Sequence, residues 1–211
     1  MLPCIVEDTE IPMSAVFYSV YSGGSAVEDK ETLSMGFNST VASNSSGDMI
    51  IAWNTFDFLT LRTRIKASIV YGSEEESSSK ALVELAVGAD FPTTRFIDTG
   101  NYTFIRGMDV AVDTEGNFFI VWGGTKLTGT HIYLKEIYSD GVVLSNEVQV
   151  SQGFNKNYDP SIATDSQGNI IVTWSKFSLK GLFAGTRSVY SRRFDNNLQA
   201  LGDELKVNVV Y

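Results

Sequence analysis

The cations of this sequence are unevenly placed. Arg62, Arg64, Arg95, Arg106, Lys126, Lys156, Lys176 and Lys180 fall in five short segments, 54–64, 88–107, 123–130, 152–158 and 175–186. Only Asp57, Asp90 and Asp98 oppose them there, so the segments carry +5 and the rest of this −9 chain carries −14. A charge separation of that kind focuses anions on one surface. The same segments hold Phe56, Phe58, Phe91, Phe96, Tyr102, Phe154, Tyr158, Phe177 and Phe183. Aromatic rings beside cations suit an acidic glycan or a protein partner. The candidate binding set is Arg62, Arg64, Arg95, Arg106, Lys126, Lys176, Phe177 and Lys180, and the plain alternative is a set of solvated loop charges.

Other chemistry is sparse. His131 is the single histidine and no Gly-x-Ser-x-Gly elbow accompanies it, so a strand-edge histidine is the simpler reading than a triad member. Glycoside cleavage needs a pair of carboxylates; Asp57, Asp90 and Asp98 are the candidates, although no spacing marks them. Asp113-Thr-Glu-Gly-Asn and Asp165-Ser-Gln-Gly-Asn resemble calcium loops but lack alternating oxygen ligands, so turns account for them and no metal site is assigned. Cys4 stands alone, which excludes an intrachain disulfide and zinc-ribbon spacing. No cofactor motif is found. The acidic balance argues against nucleic acid, which demands a basic footprint. No apolar run is long enough to span a bilayer, and no signal peptide is visible at the start.

The residues that must position this chemistry are organised by repetition, the first feature to seek in any chain. Each of the three tryptophans has a glycine six residues before it (Gly47/Trp53, Gly116/Trp122, Gly168/Trp174) and an alanine eleven before it (Ala42, Ala111, Ala163). A second half follows each such unit: residues 131–153 match 187–208, residues 65–88 match more loosely, and residues 15–36 match as well. The chain thus opens inside a repeat (1–36) and continues with three more, 37–88, 89–153 and 154–211, all read as one domain.

Each repeat predicts four short strands, a to d. The turn between a and b, Asp165-Ser-Gln-Gly168 in the third repeat, begins with a residue that bonds its own backbone and ends with one that accepts positive φ. Strand b is continuously apolar, as in Phe118-Phe-Ile-Val-Trp122, which means burial on both faces. Strand d alternates, as in Glu204-Leu-Lys-Val207. Burial falling from b to d is what a β-propeller blade requires, because such blades bury their faces only by stacking. The predicted fold is all-β: a propeller of four-stranded antiparallel blades with about 3.5 repeats, partial or four-bladed. The a–b and c–d turns then share one rim, and the b–c and d–a connections, which include the five cationic segments, form a long-loop rim opposite.

The stretch Asp159-Pro-Ser-Ile-Ala-Thr-Asp-Ser-Gln-Gly-Asn-Ile-Ile-Val-Thr-Trp174, with Tyr190-Ser-Arg-Arg-Phe-Asp195 and Gly202-Asp-Glu-Leu-Lys-Val-Asn208, resembles a β-propeller repeat family found in multiple copies in large secreted and surface proteins of bacteria. Ser39 and Met108 depart from its pattern at the position of Pro160, and Asn44 replaces the turn aspartate. The resemblance implies a propeller, a non-catalytic scaffold or adhesive role, and an extracellular or cell-surface setting. The expected function is therefore a non-enzymatic module that recognises a protein or acidic glycan through the long-loop rim, within a homodimer or a longer chain. A glycoside-cleaving propeller and a structural spacer are the alternatives.

Overall fold

A computed structural model describes residues 15–18, 21–22, 25–26, 31–35, 37–45, 47–57, 62–70, 84–85, 94–97, 104–126, 129–137, 147–153, 156–180 and 184–208. The chain divides into two compact units, Met1–Phe37 and Asn38–Tyr211. In the first, β1 (Ala15–Tyr18) pairs antiparallel with β4 (Glu31–Met35), and β2 (Tyr21–Ser22) with β3 (Ser25–Ala26). Cys4 lies outside the described residues.

Strands joined by turns make up the larger unit among the described residues. The first full repeat gives β5 (Phe37–Ser43), β6 (Met49–Asp57), β7 (Arg62–Val70), β8 (Glu84–Leu85) and β9 (Thr94–Ile97), in the order β5-β6-β7-β9-β8. The second gives β10 (Phe104–Val112), β11 (Phe118–Lys126), β12 (Gly129–Ile137) and β13 (Val148–Gln149), an antiparallel meander. The third repeats it with β14 (Lys156–Thr164), β15 (Ile170–Lys180), β16 (Ala184–Phe194) and β17 (Leu205–Lys206). A single parallel bridge, Thr130↔Lys156, joins the two meanders into one eight-stranded sheet. No sheet closes on itself among the described residues.

Stacking explains the apolar strands. Phe118, Ile120 and Trp122 of β11 pack with Ile50, Ala52, Ile65, Ala67 and Ile69 of the first repeat. Phe119 and Val121 of the same strand point the other way and pack with Ile162, Ile170, Val172, Trp174 and Phe194 of the third. The second repeat is therefore buried on both faces, which is why β11 shows no alternation. Register repeats too: Trp122 pairs with Tyr133 and Trp174 with Tyr190, and each ring pair stacks, with centroids 5.9 and 6.2 Å apart. This equates Ile137, not Tyr138, with Phe194, a one-residue correction to matching the segments end to end. With a side-chain period of two, that single step decides which face each residue takes.

Two devices recur in strand a. Each first strand holds a residue of positive φ fifteen positions before its tryptophan: Asn38 (53°), Gly107 (70°) and Asp159 (50°). In β10 and β14 it sits in a break of register, a β-bulge that redirects the strand. Asn and Asp tolerate this conformation better than other non-glycine residues. Two residues on, Thr40, Asp109 and Ser161 occupy one equivalent position and bond to one another. Thr40 Oγ1 donates to Asp109 Oδ1 at 3.0 Å, while Ser161 Oγ and the Ile162 amide donate to Asp109 Oδ2 at 2.8 and 3.1 Å. One carboxylate thus ties the first strands of three successive repeats side by side.

The connections differ from expectation at the long-loop rim. Segments 54–64, 123–130 and 175–186 are for the most part strand, closed by hairpins whose last pairs are Asp57↔Arg62, Lys126↔Gly129 and Lys180↔Ala184. Extending the ladder satisfies backbone groups that a loop would leave to water. The linker 88–107 also contributes a strand. β9 takes the place beside β7, with Ile97 opposite Ile65, and β8 lies outside it in parallel.

Candidate functional site

The hairpin ends place a cationic cleft at that rim. Lys156, Phe177 and Arg187 form a row across β14, β15 and β16, because Phe177 pairs with both of the others. Arg106 of β10 reaches the same place, its guanidinium carbon 5.6 Å from the centroid of Tyr158. With Asp159 these residues line a cavity of about 330 Å³, within the size range of small-ligand pockets. Lys156, Arg106 and Arg187 are exposed at its mouth, and Asp159 is the single carboxylate among its lining residues.

Two glycines make room for it. A Cβ on Gly185 would stand 2.1 Å from Cζ of Phe177, so the ring occupies the space of a missing side chain. A Cβ on Gly107 would stand 2.9 Å from the Asp159 Cα, so the bulges of β10 and β14 approach each other there only because one of them is glycine.

The eight residues proposed from sequence separate. Arg106 and Phe177 line the cleft. Lys176 does not: it is buried, its ammonium paired with Glu204, 3.3 Å from the Gln152 carbonyl and 4.6 Å from the Tyr190 ring centroid. Glu204 also accepts the Gln152 amide at 2.9 Å, so this lysine fastens the 151–153 connection to the third repeat. Alternation explains its burial, since Lys176 and Phe177 take opposite faces of β15. Arg64 is half-buried on β7. Arg62, Arg95, Lys126 and Lys180 lie on β7, β9, β11 and β15, and their side chains fall outside what is described, as does that of Asp57. Asp90 and Asp98 lie outside the described residues.

Four lining residues were not in the proposed set. Lys156 and Tyr158 belong to a cationic segment, whereas Asp159 and Arg187 fall one residue beyond two of the segments. The signal for Arg187 is the cross-strand register, which segment charge alone does not carry.

The opposite rim holds a smaller polar hollow of about 240 Å³ between the turns of the second and third repeats, with Asp113, Glu115, Glu136 and Gln167 among its walls. Burial, and then the neighbouring Asp113 carboxylate, push the Glu136 carboxyl above its ordinary range. The Asp113 oxygens are committed to the turn: Oδ1 accepts the Glu115 and Asn117 amides, both at 2.9 Å, and Oδ2 accepts Asn117 Nδ2 at 3.1 Å. Asp165 repeats the arrangement with Gln167 and Asn169. In the first repeat the two side chains exchange ends, Asn44 bonding Asp48. His131 is buried on β12, edge-on to Tyr133 with ring centroids 6.3 Å apart.

No family model and no curated protein matches the chain. Solved structures similar to it include the following three. An endo-arabinase from Bacteroides thetaiotaomicron VPI-5482 shares 13% identity with a TM-score of 0.49, over 85% of this chain and 69% of that one. A fucose lectin from Kordia zhangzhouensis in complex with methyl-fucoside shares 10% with a TM-score of 0.44, over 82% and 99%. A thermostable family-43 glycoside hydrolase shares 13% with a TM-score of 0.44, over 87% and 62%. The expectation that the chain is not an enzyme is corrected here: two of these three structures are enzymes by name, an endo-arabinase and a glycoside hydrolase.

Proposed function

We propose that the chain is part of a carbohydrate-directed β-propeller working outside the cytoplasm, in which the cleft between Arg106, Lys156, Tyr158 and Arg187 receives an acidic sugar. The observation that carries this reading is the composition of the cleft: three cations, two aromatic rings and one carboxylate around about 330 Å³, on a chain of net charge −9. Phe177 offers a ring face for a pyranose, and guanidinium groups match carboxylates and sulfates in two-pronged geometry. The propeller reading is supported by three repeated first strands held side by side through Asp109, and by repeats stacked face to face.

Titration calorimetry with oligogalacturonate and with neutral arabinan tests it. The acidic oligomer is expected to bind, and Arg187→Gln and Lys156→Gln are each expected to weaken it about tenfold, the size of one charged contact. A parent chain that binds neither polymer overturns the reading. Cleavage is the second reading; it needs a pair of carboxylates, of which Asp159 supplies one in the cleft. It is scored in the same samples by the appearance of reducing ends, and turnover that disappears in Asp159→Asn makes this chain a glycosidase.

A further inference from the structure

The third repeat presents a sheet face whose counterpart in the second repeat is an interface. The register equates Ile171 with Phe119, Val189 with Ile132, and Leu205 with Val148, and the bonds Val150 N–H to Ile132 O and Val207 N–H to Val189 O equate Val207 with Val150. In the second repeat these positions belong to the cluster against which the third repeat packs: Phe119, Ile132 and Val150 are buried, and Val148 is half-buried against them. In the third they remain apolar, yet Ile171 is 40% exposed, Val189 39%, Leu205 67% and Val207 56%. The positions between them are small and polar, Ser161, Thr173, Ser175 and Ser191, which leaves the face flat.

We infer that this face of β14–β17 is a docking surface for a further repeat of the same kind, a four-stranded unit offering the surface that the third repeat offers the second: the side of its strand b that bears the tryptophan. The occupant follows from continuity with the interface already formed, since the same positions keep apolar residues whether covered or not. A second copy meeting the face with its own equivalent is disfavoured by charge, because Arg187 and Arg193, on the same side of β16 as Val189, are exposed and would face themselves. The inference does not depend on what the cleft holds. The row Lys156–Phe177–Arg187 lies at the rim end of this face, where the Thr130↔Lys156 bridge and the bond from Asn157 Nδ2 to the Thr130 carbonyl join the second and third repeats. A docked repeat therefore adds a wall to the cleft.

The test appends a second copy of residues 154–208 after Asn208 of the full chain. Hydrogen exchange at the amides of β15 and β16, and binding of an apolar fluorescent dye, are compared with the parent. Docking is expected to slow exchange at least tenfold, to suppress dye binding that Leu205→Glu with Val207→Glu also removes from the parent, and to keep the added tryptophan emission blue-shifted. The same two substitutions in the original repeat of the extended chain are expected to release the added one. Unchanged exchange, or a red-shifted added tryptophan, overturns the inference. A parent that dimerises in sedimentation and loses its dimer in the Leu205→Glu, Val207→Glu variant overturns it in favour of a second copy.

Discussion

Two carboxylates at the turn rim respond to pH in opposite directions, and the causes are visible around each. Asp165 accepts Asn169 Nδ2 and two backbone amides, and chiefly the Asn169 bond holds it below the usual carboxylate range. Its contribution is present above the unfolded-state value and is lost as pH falls through the lowered folded one. Glu136 is raised by burial and by Asp113, so the folded state holds its proton longer than the unfolded chain does. Stability then falls as pH rises from the ordinary 4.5 through the raised folded value. Glu136→Gln removes that loss, and melting temperatures at pH 4 and pH 7 should show the variant gaining on the parent at the higher pH; a gap independent of pH refutes the assignment. The turn glycines set a second residue-scale expectation. Gly168 has φ 77°, and a Cβ there would stand 3.3 Å from that of Asn196. Gly168→Ala should cost about 1–2 kcal/mol in denaturant unfolding. Leu198 adopts φ 59° in the corresponding c–d turn, where its buried side chain offsets the strain.

Elements are joined here by few, well-placed polar groups. Asp109 accepts from Thr40, Ser161, Ile162 and its neighbour Val110, spanning β5, β10 and β14. Asp109→Ala leaves the buried Ile162 amide without this acceptor and should destabilise by about 3 kcal/mol. The Lys176–Glu204 pair makes a contrasting case, because both groups are largely buried. Lys176→Met alone strands a buried carboxylate at a cost of about 3 kcal/mol, whereas Lys176→Met with Glu204→Leu should unfold close to the parent, as replaced buried pairs often do. A double-mutant cycle by urea denaturation separates the two. These joints also show how much was legible. The Gly-to-Trp spacing placed strands a and b and their turns, because turn chemistry and full burial leave local residue signals. The hairpin extensions past Trp122 and Trp174 look like loops in the sequence, because strand ends reaching the rim keep polar residues and lose the apolar pattern. Lys176 was placed on the surface for the same reason: its partner Glu204 is far along the chain, and only the register brings it in. Arg106 and Phe177 are legible as rim residues because segment charge and aromatic content survive the change from loop to strand, while Arg187 lines the cleft through cross-strand pairing that composition does not record.

At the scale of the molecule, position within the stack outweighs residue type. Phe119 and Ile171 occupy equivalent places on equivalent strands, yet one is buried between repeats and the other is 40% exposed on the outer face. A propeller-like stack of quasi-independent repeats draws its stability from nearest-neighbour interfaces. The same truncation should therefore report which interfaces exist in solution. Phe119→Ala removes a ring from the interface of the second and third repeats and should cost about 3–4 kcal/mol, the range for a buried aromatic. Ile171→Ala should cost under about 1 kcal/mol, as an exposed aliphatic does. Guanidinium unfolding of the two variants at one protein concentration measures the difference. A loss at Ile171 that approaches that at Phe119 means that the outer face is already covered in solution. A loss that grows further with protein concentration identifies the cover as another copy of the chain, because only an intermolecular interface gains stability by mass action.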